Sequence, residues 1–406
     1  MDTNKKVLIY MSERNLKPIG GPAGYLLNLK MGLLKLKVEN VEFLRTENSN
    51  LKLKMIFDKL PFSVRIFYQA IKRYLFFHKL FGKTEHGAAV ELNDYDYVHF
   101  HSTPSMYAVR DSLKEYKGKV ILTSHTPKPC HLEIIQDTLT DIERKIYKKR
   151  WRNIMEIDEF AFNKADYIVF PCEEAEEPYR NNWKNYNYIK ERNFNKYRYL
   201  LSGIKPCSPK STRVEVLKKY NIPENAFVVS YAGRHNETKG YDHLKKIGEE
   251  ILAENEDTYF LIAGNEAPLT GLNHKRWVEV GWTNDPHSLI SASDVFILPN
   301  KETYFDLVML EVLSLGNVII ASNTGGNKYF SKIKAKGVLL YDSKDEAIKL
   351  INDVKRLSSL EKVKLEKDNK KLFQENFTME AFSKQYINMI NKLDSNQCNG
   401  RSDPET

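Results

Sequence analysis

Nowhere in the 406 residues does an apolar run approach the roughly 18 that a membrane span requires. The opening MDTNKKVLIYM has neither the apolar length nor the small-residue cleavage site of a secretion signal, so the expected location is the cytoplasm. Cysteine is scarce. Cys130, Cys172, Cys207 and Cys398 show no C-x-x-C spacing, which argues against a zinc site or a disulfide framework and for reduced, structural thiols. No clustered D-x-D stands in a loop after a strand-like run, so no metal dependence is expected. No recognised nucleic-acid-binding module is present either.

What is present reads as globular: 42% of residues are hydrophobic and 28% charged. A chain of 406 residues is long for one core and comfortable for two domains of roughly 200 residues each. The charge is unevenly divided. Residues 1–200 hold 34 Lys and Arg against 25 Asp and Glu, whereas residues 201–406 balance at 28 against 28. All of the excess positive charge therefore lies in the first half. In Leu51–Lys83 eight basic residues and one acid are interleaved with Phe57, Phe62, Phe67, Tyr68, Tyr74, Phe76, Phe77 and Phe81, and a second cluster, RKIYKKRWR, runs from Arg144 to Arg152. Basic residues mixed with aromatics fit an anionic membrane surface or a nucleic acid. They equally fit core aromatics beneath a solvated basic face.

Strand-like and helix-like patterns alternate twice. KVLIYM (Lys6–Met11), YVHFH (Tyr97–His101), VILTS (Val120–Ser124) and YIVFP (Tyr167–Pro171) predict short buried strands separated by helix-length segments. An irregular, aromatic and basic stretch follows at Asn185–Leu201, and then a connector, Ser202–Ser211. A second series has strands at FVVSYAG (Phe227–Gly233), YFLIAG (Tyr259–Gly264), WVEVGW (Trp277–Trp282), VFILP (Val295–Pro299) and NVIIAS (Asn317–Ser322), with helices at YDHLKKIGEEILAE and KDEAIKLINDVKRL. The pattern predicts an α/β protein of two doubly wound halves. The tail after Asp394 is expected to be disordered.

Ligands of such sheets collect at the carboxyl ends of the strands. After the first strand, Gly20, Gly21 and Gly24 precede a helical pattern, where backbone N–H groups can approach a phosphate. After FVVSYAG, Arg234 and Lys239 occupy a loop before another helix. One cation that forks onto oxygens and one compact point charge suit a diphosphate.

The ordered set YAGRHNETKGYDHL, YFLIAGNE, VEVGWTNDPHSLISASDVFILPN, ETYFDLVMLEVLSLG and NVIIASNTGG resembles the C-terminal half of the retaining GT-B glycosyltransferases of glycosyltransferase family 4. The likeness covers most of residues 200–393. In the first half it is looser, resting on GGPAGY, HFHS and ILTSHTP. The resemblance implies two Rossmann-like domains facing a cleft. An acceptor domain would span 1–201, a nucleotide-sugar domain 202–376, and a helix at 377–393 would cross back to the first, leaving 394–406 as tail. It further implies a nucleotide-sugar donor, with UDP the family's commonest, and a saccharide or lipid-linked acceptor of bacterial surface polysaccharide synthesis. The enzyme would use no metal or other cofactor and would be cytoplasmic or peripheral on the inner membrane face.

Carried over position by position, Arg234 and Lys239 match the pair that neutralises the donor diphosphate, and Glu311 the carboxylate that binds the ribose hydroxyls. Gly264 and Trp282 fall on the donor side, Trp282 as either a base-stacking indole or a packed core residue. His125 matches a histidine near the donor sugar, with His99 and His101 competing; a buried, satisfied histidine is the default for His99. One departure stands out. The first glutamate of the family's pair should lie eight positions before Glu311, at Thr303, whereas the chain has Glu302. The usual Gly-Phe-Gly is replaced by Tyr304, Phe305 and Asp306, ahead of Leu307. Glu302 is read as the shifted equivalent, and Asp306 as either a donor contact or a simple helix N-cap. The helix is expected to begin near Phe305 or Asp306 with Leu307, Leu310 and Leu313 facing the core, and both glutamates to lack protein partners. The altered loop also keeps open a non-catalytic subunit of the same fold, beside a nucleotide-sugar epimerase.

Overall fold

Four-residue runs such as VLIY, YVHF and YIVF are buried at every position, the signature of parallel strands covered on both faces. The computed structural model describes residues 4–11, 16, 21–44, 61–82 and 88–393. Gly20, all of Leu51–Leu60 with its lysines, and the tail lie outside them. The chain divides into two units, the first comprising Met1–Phe170, Asn182–Tyr199 and Tyr386–Thr406, the second Pro171–Asn181 and Leu200–Gln385.

The first unit holds a parallel six-stranded sheet ordered β2-β1-β3-β4-β5-β6. Its strands are β1 (Val7–Tyr10), β2 (Val41–Phe43), β3 (Tyr97–Phe100), β4 (Lys119–Leu122), β5 (Tyr167–Phe170) and β6 (Tyr197–Tyr199). Tyr97 of β3 registers with both Val7 and Lys119. The four strands expected from sequence form its centre. The two additions, VEF and YRY, are edge strands of three residues. The stretch from Asn185, expected to be irregular, instead forms the helix Tyr186–Arg192 and the strand β6. Strand order reverses between β1 and β3, which places the segments after those two strands at the switch point where ligands bind in such sheets.

The second unit repeats the plan in the order β12-β11-β10-β7-β8-β9. Here β7 (Phe227–Ala232), β8 (Thr258–Ala263), β9 (Trp277–Gly281), β10 (Val295–Leu298) and β11 (Val318–Ser322) fall where the sequence pattern put them, and β12 (Val338–Tyr341) is an added edge strand. The helix Tyr241–Glu254 packs Leu244, Ile247 and Ile251 into a core with Val229, Phe260, Ile297 and Ile320. The switch point lies between β7 and β10. Gly240, at the turn into the helix Tyr241–Glu254, has φ 66°, and a Cβ there would lie 1.7 Å from the Pro299 carbonyl oxygen. Only glycine lets the loop after β7 press against the end of β10.

Candidate active site

In the second unit the loops after β7 and β10 meet. The Lys301 N–H donates to the Thr238 carbonyl at 3.1 Å. Lys239 reaches both oxygens of Asp306, at 2.8 and 2.7 Å, and Asn300 Nδ2 donates to the same carboxylate. Burial works to raise the Asp306 pKa, but the Lys239 ammonium beside it outweighs burial and holds the carboxyl below its usual value. Asp306 stands at the N-cap position of the helix Leu307–Leu315 without making a side-chain cap bond, so the simple N-cap reading is replaced by an ion pair. The Arg234 carbonyl accepts from the Tyr231 hydroxyl, but its side chain is exposed and makes no hydrogen bond or ion pair among the described residues. Of the two expected diphosphate cations, one is held by a carboxylate and the other is uncompensated.

The rest of the 302–311 stretch is less uniform than the sequence implied. Thr303 is buried and Glu302 half-buried. The Phe305 ring packs among Phe330 and Phe377, 5.8 and 6.3 Å away between centroids, so this side chain belongs to the core and only its backbone could meet a donor. The helix starts at Leu307, and its buried residues are Met309, Leu310, Val312 and Leu313, whereas Leu307 is only partly covered. Glu311 does have a protein partner. Its carboxylate lies 3.6 Å from His287 Nε2, with both side chains 30% exposed. The Cys207 sulfur and the Glu311 carboxylate together raise the His287 pKa to about 10, so this imidazole is a cation at neutral pH.

The remaining donor-side positions are also placed. Trp282 is 59% exposed, which removes the packed-core alternative. Gly264, with φ 146°, brings the end of β8 so close to β7 that a Cβ would lie 2.0 Å from the Gly233 carbonyl oxygen; both the backbone conformation and the packing demand glycine there. Glu177, from the segment Pro171–Asn181, accepts from the Gly325 N–H at 3.1 Å and pairs with Lys328, so the NTGG turn after β11 is engaged by a protein carboxylate.

In the first unit three histidines gather at the ends of β3 and β4. His99 is fully buried and satisfied, with Nε2 2.8 Å from Thr123 Oγ1 and Nδ1 3.2 Å from the Tyr386 hydroxyl. His101 Nδ1 lies 2.8 Å from His125 Nε2. His125 adopts φ 60°, in the left-handed region uncommon for a side-chain-bearing residue, and Tyr25 of the helix Gly21–Lys35 packs edge-on against it at 4.5 Å. Burial lowers the pKa of His99 and of His125 to about 3, and that of His101 well below its ordinary value. All three rings are neutral at physiological pH. Gly21 opens its helix with no atom within 4 Å of a hypothetical Cβ, so packing does not require glycine there. Among the described residues no three His, Cys, Asp or Glu side chains converge as a metal site.

The family model described as Glycosyltransferase Family 4 matches residues 19–186, and that described as Glycosyl transferases group 1 matches residues 226–359. Between them they span most of the chain. The chain belongs to the GT-B glycosyltransferases. Its fold agrees with that of other GT-B proteins: sucrose-phosphate synthase from Thermosynechococcus elongatus superposes with a TM-score of 0.61 at 17% identity, over 96% of this chain and 99% of that one. The O-antigen biosynthesis glycosyltransferase WclY of Escherichia coli is 25% identical over 184 residues, 43% of this chain and 50% of the relative. The E. coli UDP-Gal:alpha-D-GlcNAc-diphosphoundecaprenol alpha-1,3-galactosyltransferase is 29% identical over 160 residues, 36% of this chain and 41% of the relative. The matches thus span about half the length, or less, of these curated glycosyltransferases.

Within this GT-B chain, three features were hidden from sequence reasoning. His287 and the docking of Glu177 involve residues far apart in sequence and carry no local motif. The Lys239–Asp306 pair had one visible trace, an aspartate where the family places a glycine.

Proposed function

We propose that the chain transfers a sugar from a UDP-sugar to a saccharide or lipid-linked acceptor, with retention of anomeric configuration and without a metal, in the assembly of a bacterial surface polysaccharide. The observation that carries this reading is the pairing of an uncompensated Arg234 with Lys239 at the switch point of the second sheet. When the sugar leaves, negative charge grows on the β-phosphate, and fixed cations there stabilise the transition state more than the ground state. Glu311 is the ribose ligand, opposed by the His287 cation, and the exposed Trp282 offers a face to the base. The relatives' names, O-antigen synthesis in one and a UDP-sugar with a lipid diphosphate acceptor in another, support the substrate classes.

The reading includes an anionic membrane surface as partner, with the chain cytoplasmic and peripheral. The helix Phe62–Phe81 contains no acidic residue. One face is fastened: Phe77 and Leu80 pack with Leu139, Tyr147, Ile154 and Ile157, and Arg73 forks onto Glu143 with two 2.8 Å bonds. The other face leaves Phe67, Tyr74, Leu75 and Phe76 between 46% and 68% exposed. Glu143 belongs to the helix Asp141–Tyr147, where Ile142 and Ile146 are also exposed beside Lys145, Lys148 and Lys149. The two basic-aromatic clusters are therefore neighbours, and apolar side chains ringed by cations match an anionic lipid surface. No described helix is long and apolar enough to cross a membrane.

Incubation with a panel of UDP-, GDP- and ADP-sugars, scored for slow release of nucleotide, tests the reading. Release from UDP-sugars with liberation of the intact sugar is expected. Nucleotide binding without turnover would replace it by the non-catalytic subunit, which the missing glutamate at Thr303 favours, and an epimerised sugar with free nucleotide would point to an epimerase.

A further inference from the structure

The two cations of the loop after β7 are treated differently. The Arg234 side chain is left uncompensated among the described residues, whereas Lys239 Nζ sits 2.8 and 2.7 Å from the two oxygens of Asp306. Burial works to raise the Asp306 pKa, but the Lys239 ammonium holds it below its ordinary value, so the carboxylate is charged at neutral pH. A diphosphate that takes Lys239 must displace an anion already in place. Both backbones are anchored: the Lys239 N–H donates to Asn236 Oδ1 at 2.9 Å, and Asp306 opens the helix Leu307–Leu315. The exchange is therefore left to the side chains. The carboxylate has a place to go, because Asp306 stands at the N-cap position with its side-chain cap bond unmade, and Asn300 Nδ2 donates to it already.

We propose that Asp306 is a positioning residue that acts through Lys239: it competes with bound diphosphate for the ammonium, so that the chain releases a free nucleoside diphosphate more readily than the nucleotide-sugar it comes from. The direction follows from charge. The diphosphate of a nucleotide-sugar carries about two negative charges, whereas the product's terminal phosphate has a further ionisation near pH 6 and brings the total to about three at pH 7. A fixed carboxylate beside the shared cation penalises the more highly charged of the two. The naming of substrate and product rests on the glycosyl-transfer reading, while the competition for Lys239 rests on the geometry of the loops after β7 and β10.

Isothermal titration of the full chain with UDP, and with uridine as the uncharged control, tests the proposal. Asp306→Asn, which keeps the shape and removes the charge, should bind UDP about tenfold tighter and uridine equally well. A merely structural residue would not yield tighter binding when it is changed. Asp306→Gly is a second charge-free variant and should behave alike, so the test survives if one of the two fails to fold. In a Lys239→Ala background the loss of Asp306 should alter UDP affinity less than about twofold. In turnover, the inhibition constant for product UDP should fall about tenfold in Asp306→Asn and the donor KM by less. Unchanged or weaker UDP binding in the charge-free variants, or the same tightening without Lys239, overturns the proposal. Tightening in a chain that transfers no sugar would sink the functional reading and leave this one standing, and no UDP binding by any form would sink both.

Discussion

The strand ends of the two sheets are furnished with opposite electrostatics. In the second unit Lys239–Asp306, Lys301–Asp242 and Lys328–Glu177 are charged pairs, and Arg234 adds a cation that nothing among the described residues compensates. In the first unit the corresponding positions hold His99, His101 and His125, all kept neutral, with His99 and His101 fully buried. Fixed charges suit a diphosphate whose own charge grows as a bond breaks. Neutral imidazoles hydrogen-bond sugar hydroxyls without attracting anions. One topology thus carries two kinds of site, and the difference comes from the side chains placed at the strand ends.

The sharpest way to break the comparison is to remove the charge. Arg234→Ala should lower turnover by roughly 100-fold or more, the size expected for one preorganised charge-stabilising group, with no change in melting temperature, because the side chain is exposed and unpaired. Lys239→Ala should lose as much turnover and also stability, since Asp306 is left with Asn300 as its remaining partner. The double variant Lys239→Ala/Asp306→Ala should recover the stability and not the turnover. Near wild-type kinetics in Arg234→Ala would place the phosphates elsewhere and make the charged pairs merely structural.

A second test uses pH, because the two units should fail at opposite ends. A histidine whose folded pKa lies below its unfolded value contributes stability that is complete above about pH 6.5 and is lost as the pH falls from there toward 3. His99 and His101 are both of this kind. Between pH 7 and 5 His99 should cost the first unit about 2 kcal/mol, and His101 should add to that in the same direction. His287 has the reverse sign: its raised pKa gives the second unit a contribution present below about pH 6.5 and lost as the pH rises through about 10. Hydrogen exchange, corrected for intrinsic rates, should show β3 and β4 opening more readily at pH 5 while β7 and β10 hold. Uniform weakening of both sheets would mean that the histidines are not what distinguishes them.

Most of the fold was legible because the central strands of a parallel sheet are buried on both faces and read as continuous apolar runs. The strands that escaped, β2, β6 and β12, are edge strands of three or four residues with part of their surface in water, and their apolar signal is correspondingly weak. The placement of Arg234, Lys239 and His125 at strand ends was legible, because there a residue type and the end of an apolar run coincide. The site was not legible where a role depends on a distant partner. Nothing in the sequence ties Glu311 to His287, and Phe305 looked like a donor contact because a loop residue and a core aromatic are spelled alike. Asp306 shows the limit most clearly: local reasoning offered it as a donor contact or as the N-cap of the helix it precedes, whereas tertiary structure pairs it with Lys239, 67 residues away.

The smallest expected effect concerns the outside of the first unit, where the charge absent from its histidine cluster reappears. The helix Phe62–Phe81 combines exposed Phe67, Tyr74 and Leu75 with Lys72 and Lys79 and no acid, whereas the second half of the chain has no excess of either sign. If this surface meets anionic lipid, each basic residue near the membrane contributes about 1 kcal/mol at most, so Lys79→Ala should weaken vesicle binding by no more than about fivefold. Phe67→Ser removes apolar contact and should act at any salt concentration, while the lysine's share should fade as salt rises. Arg73 must be left alone, because it fastens the helix to Glu143 and its loss would confuse detachment with unfolding. Co-sedimentation with anionic and neutral vesicles, alongside nucleotide release measured without lipid as a control for the charged loops, separates the two surfaces. Equal binding to both vesicle types, or none at moderate salt, would leave the basic-aromatic face unexplained and confine the contrast between the units to their strand ends.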